Sequence, residues 1–138
     1  MKKLIFKVLI LPFFCFSQAQ ELDTIVIDSA LTKAIRYKQP INTLEKIPNT
    51  IKRIYLWTRI KTLYPPTYIY HVWYYKGKEV ARIRLYIKYP IFRTWSFKTI
   101  PSTWTGKWKV VVEDINGIPL LEREFEVYKK RVSKKKNK

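Results

Sequence analysis

Residues 54–60 read Ile54-Tyr55-Leu56-Trp57-Thr58-Arg59-Ile60, with Ile54, Leu56 and Ile60 at one parity and Tyr55, Trp57 and Arg59 at the other. Side chains of a strand point alternately to its two faces, whereas those of a helix return to a face every 3.6 residues, so this spacing predicts a strand with one apolar and one mixed face. Residues 79–88 repeat the pattern: Ala81, Ile83, Leu85 and Ile87 oppose Arg82, Arg84, Tyr86 and Lys88.

Working outward, Tyr68-Ile69-Tyr70-His71-Val72-Trp73-Tyr74-Tyr75 is rich in β-branched and aromatic residues that suit a pleated surface. It runs through Lys76-Gly77-Lys78 into the second amphipathic strand, a connection short enough to predict a hairpin. Asn116-Gly117 predicts a second hairpin with a two-residue turn at positive φ. Its arms are Trp108 to Ile115 and Ile118 to Tyr128, the latter with Leu121, Phe125 and Val127 on one side. Another strand spans Phe92 to Ile100 and stops at Pro101. Leu22 to Asp28 reads as a strand, and Ser29 to Ile35 either continues it or forms a helical turn, since periodicity fits both. Pro40, Pro48, Pro65 and Pro66 are expected in loops, because proline donates nothing to a sheet ladder. About seven short strands with frequent turns predict an all-β, two-sheet antiparallel β-sandwich, immunoglobulin- or fibronectin-like, since a lone sheet would leave an apolar face wet.

The chain opens with Lys2 and Lys3, continues apolar from Leu4 to Phe16 with only Lys7 interrupting, and then reads Ser17-Gln18-Ala19-Gln20. That is the pattern of a secretory signal peptide, cleaved after Ala19 where the small residues Ser17 and Ala19 fit a peptidase. The apolar run is shorter than the roughly 18 residues a membrane span needs, and it contains Pro12. Lipid attachment at Cys15 would require small residues where Phe13 and Phe14 stand. The expected layout is therefore a signal peptide over 1–19, one β-sandwich over 20–128, and a disordered basic tail over 129–138. The tail comprises Lys129, Lys130, Arg131, Lys134, Lys135, Lys136 and Lys138. The expected location is the periplasm or cell envelope. Cleavage removes three lysines and no acid, so the formal charge falls from +18 to +15. It also removes Cys15, the only cysteine, which excludes disulfides, thiolate nucleophiles and zinc–thiolate sites from the mature domain.

The motifs His71-Val72-Trp73-Tyr74-Tyr75 with Gly77, Arg93-Thr94-Trp95-Ser96-Phe97-Lys98 and Gly106-Lys107-Trp108-Lys109-Val110, followed by Asp114, Gly117, Leu121, Phe125 and Val127, resemble a bacterial family known as domain of unknown function 2914. The resemblance runs from about Ile25 to Tyr128. It implies an exported or envelope β-domain, and it implies no activity, ligand or cofactor.

Catalysis needs a base, an orienting partner and a stabilising donor at short range. Downstream of Ala19 the chain has one histidine, His71, and Ser96 is the serine placed in a distinctive motif. A Ser96–His71 pair on strands would lack a nucleophile turn and an oxyanion pocket, so no enzyme is expected. Neither a metal site nor a phosphate loop is present at ligand spacing, and no cofactor is expected. Glu122, Glu124 and Glu126 share a strand face and read as solvated partners of nearby lysines.

His71, Arg93, Trp95, Ser96, Lys98 and Trp104 form the candidate interaction patch, a mixture of cations and aromatic rings, while Trp73 and Trp108 are assigned to the core. Three functions follow as expectations. The first is a non-catalytic envelope domain that holds a protein partner. The second is a binder of anionic lipid, polysaccharide or nucleic acid without sequence specificity, acting through basic surface and tail. The third is carbohydrate binding on Trp57, Trp95 and Trp104.

Overall fold

The computed structural model describes residues 7–13, 15 and 22–131. The expected cleavage point after Ala19 and tail residues Lys134, Lys135, Lys136 and Lys138 lie outside them. Among the described residues no helix is long and apolar enough to cross a membrane.

Nine strands follow in chain order: β1 Thr24–Arg36, β2 Gln39–Thr43, β3 Ile47–Pro48, β4 Arg53–Thr62, β5 Thr67–Tyr75, β6 Lys78–Ile87, β7 Ile91–Thr99, β8 Gly106–Glu113 and β9 Pro119–Tyr128. Sheet I has the order β2-β1-β4-β7 and sheet II the order β3-β9-β8-β5-β6. The chain crosses from sheet I to sheet II between β4 and β5, returns between β6 and β7, and crosses again between β7 and β8. These crossings make a two-sheet sandwich of the immunoglobulin-like kind.

The inner faces meet in a core of Ile54, Leu56 and Ile60 from β4, Ile69 and Trp73 from β5, Ile87 from β6, Trp108, Val110 and Val112 from β8, and Phe125 and Val127 from β9. The parity of residues 54–60 is thus the burial pattern itself, with Ile54, Leu56 and Ile60 fully inaccessible. Trp73 and Trp108 are core residues, 0% and 2% exposed. Within the core the ring of Trp108 stacks on Phe125 with centroids 5.9 Å apart.

One open reading is settled and three expectations are revised. Residues 29–35 continue β1 as strand, with Ser29 to Thr32 paired to β4 and Thr32 to Arg36 paired to β2. Pro40 and Pro48 lie in strands rather than loops; both belong to edge strands, where a missing N–H leaves no ladder bond broken. These short strands raise the number above the expected seven, and β3 pairs with β9 in parallel, so sheet II is mixed. Finally, the β8–β9 connection is not a two-residue turn. It spans Asp114 to Ile118, with Asp114 Oδ1 accepting from the amides of Asn116 and Ile118, and positive φ falls on Gly117. Both residues of the Lys76-Gly77 turn have positive φ, as do both residues of the β1–β2 turn, Tyr37 and Lys38, the geometry that matches the twist of paired strands.

Candidate functional site

The six residues of the candidate patch occupy three separate places. His71 on β5 and Ser96 on β7 point inward from facing sheets and are 0% and 5% exposed. Nδ1 of His71 lies 2.7 Å from Oγ of Ser96, and Nε2 lies 3.3 Å from Oγ1 of Thr58 on β4. Oγ1 of Thr58 donates to the carbonyl of Thr94, so the remaining role open to it is to accept, which assigns the His71 proton to Nε2. Nδ1 then accepts from the Ser96 hydroxyl, which itself accepts from Nε1 of Trp73 at 3.3 Å. The chain of donors is complete from indole to backbone carbonyl. No buried side-chain nitrogen or oxygen among the described residues lacks a partner. Burial pushes His71 down to about 3, so the ring is neutral near pH 7. The Ser96–His71 bond has the length of a catalytic dyad, but its atoms are sealed between the sheets, where no substrate reaches Ser96. It is a polar clamp in the core.

Trp104 lies between β7 and β8, stacked on Tyr75 with centroids 4.8 Å apart, and its carbonyl accepts from Nε1 of Trp108. It closes the end of the core and is not part of a surface platform. Lys98, near the end of β7, is half-buried, and its Nζ donates to the carbonyl of Thr99.

Arg93 and Trp95 are different: both point outward from β7. The antiparallel register places Trp95 opposite Trp57 and Arg93 opposite Arg59 on β4, while Asp28 of β1 lies opposite Arg59 on the far side. Trp57 faces outward yet is 3% exposed, because its Nε1 donates to the carbonyl of Lys38 at 2.9 Å and the β1–β2 hairpin leans over it. Two clefts of about 390 and 400 Å³ result on this face. One is lined by Lys38, Tyr89, Phe92 and Trp95, the other by Asp28, Gln39, Trp57 and Arg59, and both include Ile91 and Arg93.

The electrostatics of this face differ from those of the opposite one. On the outer face of sheet II, Arg82 is bonded to Glu113 at 2.8 Å and to Glu79 at 2.9 Å, and these carboxylates raise its pKa further. Arg84 lies over Tyr68, Lys109 lies over Tyr74, and Lys109 also pairs with Glu122 at 3.2 Å. Glu122, Glu124 and Glu126 are exposed on that face, alternating with the inward residues of β9. On sheet I, Arg53 covers Phe97. Arg59 and Arg93 have neither a salt bridge, nor a side-chain hydrogen bond, nor an aromatic ring beneath them among the described residues. Two guanidinium groups directly opposite each other repel, and the one carboxylate beside them in the cleft, Asp28, forms no salt bridge with either among the described residues.

Sequence reasoning placed Arg93 and Trp95 in the patch but not Arg59, Asp28, Gln39 or Lys38. A signal existed: Trp57-Thr58-Arg59 and Arg93-Thr94-Trp95 are the same three residues in reverse order. Antiparallel pairing of such segments in register sets ring opposite ring and cation opposite cation. In the tail, Lys129, Lys130 and Arg131 are exposed, and the amide of Lys130 donates to Oδ1 of Asn49.

Fold and site define a β-sandwich with a cationic, aromatic outer face. Residues 66–127 match the family described as protein of unknown function (DUF2914). The match covers β5 to β9, and so includes Arg93 and Trp95 but not Trp57 and Arg59. No curated protein matches the chain.

Proposed function

We propose that this protein is a non-catalytic binding domain of the cell envelope that holds an anionic partner on the outer face of sheet I. The observation that carries this is the cross-strand pair Arg59–Arg93, two cations set side by side with a single carboxylate, Asp28, near them and no salt bridge to it among the described residues. Each such pair costs stability in isolation, and a bound carboxylate or phosphate reverses the sign of that term through charge-assisted, bidentate hydrogen bonds. The signal-like first residues support an extracytoplasmic setting, and the formal charge of +18 supports long-range attraction of polyanions. No cofactor or metal enters the proposal.

Equilibrium binding of a soluble polyanion by the parent and by the Arg59→Gln/Arg93→Gln pair tests it. The double variant should bind at least about tenfold more weakly at equal salt, with a melting temperature no lower than that of the parent. Equal binding by the two would remove the proposal.

An envelope protein partner is the second reading, favoured by a different observation. β7 is an unpaired edge of sheet I carrying Ile91 and Phe97, 52% and 45% exposed, and a free edge can accept another strand. Crosslinking from β7 positions that traps a partner strand would support it, and crosslinks confined to other faces would count against it.

A further inference from the structure

Charge alone attracts any polyanion, but the groups around Arg59 and Arg93 discriminate among them. Resting on the anion-binding face proposed above, we infer that its ligand is an acidic polysaccharide, with a sugar carboxylate on Arg59 and Arg93 and the ring of a sugar residue laid on Trp95.

Three observations converge on a ligand that is both anionic and rich in hydroxyls. Trp95 is half-buried, has no stacking partner among the described residues, and its indole N–H makes no hydrogen bond there. A sugar ring presents a flat face of C–H groups to such an indole and leaves its hydroxyls in the ring plane to meet polar groups. Those polar groups are present: Asp28 and Gln39 line the cleft that also holds Arg59 and Arg93. Asp28 is the discriminating residue, since its carboxylate only accepts hydrogen bonds and so is satisfied by a ligand that brings hydroxyl donors along with its anionic group. A polyphosphate has no donor for that carboxylate, while an acidic sugar brings hydroxyls to Asp28 and its own carboxylate to the guanidinium groups.

The clefts also suit a polymer. They adjoin through Ile91 and Arg93 and together run from Trp95 to Asp28, across β7, β4 and β1. Their floor is set in advance, because Trp57 is fixed by its bond to Lys38. Preorganised aromatic and guanidinium groups lose little freedom on binding.

The test uses residues 22–138, which contain every strand and every core residue among the described residues. It is titrated separately with a galacturonate oligomer, a neutral galactose oligomer of the same length, polyphosphate, and phosphatidylglycerol vesicles. The galacturonate oligomer should bind saturably and at least tenfold more tightly than the neutral one and than polyphosphate at equal charge. It should shift the Trp95 indole N–H resonance. Trp95→Ala should lose about tenfold or more of that affinity and Trp95→Phe only a small part, both with the parent melting temperature. Polyphosphate or vesicle binding that exceeds galacturonate binding, with Trp95→Ala equal to parent, would overturn the sugar assignment and leave the anion face standing. Failure of all three anions to depend on Arg59 and Arg93 would overturn both.

Discussion

Nδ1 of His71 lies 2.7 Å from Oγ of Ser96, and this bond ties β5 of one sheet to β7 of the other through the middle of the core. It belongs to a chain of hydrogen bonds with one direction, from Nε1 of Trp73 through Ser96, His71 and Thr58 to the carbonyl of Thr94. Every member depends on its neighbours.

Ser96→Ala is therefore expected to destabilise more than the loss of a small side chain. It strands both Nδ1 of His71 and Nε1 of Trp73 in the core, at a cost of about 2 to 4 kcal/mol. The urea midpoint measures this, and a change within about 0.5 kcal/mol of parent would show that water or a shifted neighbour fills the role.

The same clamp sets a dependence on pH. Burial holds His71 at about 3, against an ordinary value of 6.5, so between those values the unfolded chain carries a proton that the folded chain lacks. Stability from this group is complete above pH 6.5 and is lost as pH falls toward 3, with a slope of up to about 1.4 kcal/mol per pH unit. Denaturant unfolding at pH 7 and pH 4.5 should show a smaller loss for His71→Gln than for parent. Equal losses would place the titration elsewhere.

Trp57→Phe keeps the ring but removes the donor to Lys38. Stability should fall by about 1 kcal/mol. The more telling result is local: amides of Tyr37, Lys38 and Gln39 should exchange faster while those of β8 are unchanged, because the hairpin loses its hold on the sheet face.

Gly117 has φ +80°, and a Cβ there would meet Glu113 Oε1 at 3.8 Å, an ordinary contact. Backbone strain alone should set the cost of Gly117→Ala at about 1 kcal/mol, and Gly117→Asn should cost less, since asparagine visits this region more readily. A larger loss for asparagine than for alanine in thermal melts would contradict that.

How much of this was legible in the sequence depends on the length scale involved. The strands β4 and β6 announce themselves because alternation is a local property, and Ile54, Leu56 and Ile60 are buried as their parity requires. β2 and β3 were not legible: Gln39–Thr43 and Ile47–Pro48 have little alternation, and each exists because a neighbouring strand offers a free ladder edge. The candidate patch failed as one surface for a related reason. His71, Ser96 and Trp104 carry polar and aromatic groups that look functional in a list of residues, but parity within β5 and β7 turns the first two inward, and the third packs on Tyr75. Arg93 and Trp95 survive as surface residues, and their partners Arg59 and Trp57 sit 34 and 38 positions away in the chain, joined only by strand pairing. The reversed triplets Trp57-Thr58-Arg59 and Arg93-Thr94-Trp95 were the visible sign of that pairing.

The most direct test sets the sheet face against the basic tail. Affinity for one soluble polyanion, measured over a range of salt, should fall at least about tenfold in Arg59→Gln/Arg93→Gln. Truncation after Lys130, which keeps the bond from Lys130 to Asn49, should cost less and mainly flatten the salt dependence. Loss of binding on truncation, with the arginine pair dispensable, would contradict a binding face on sheet I.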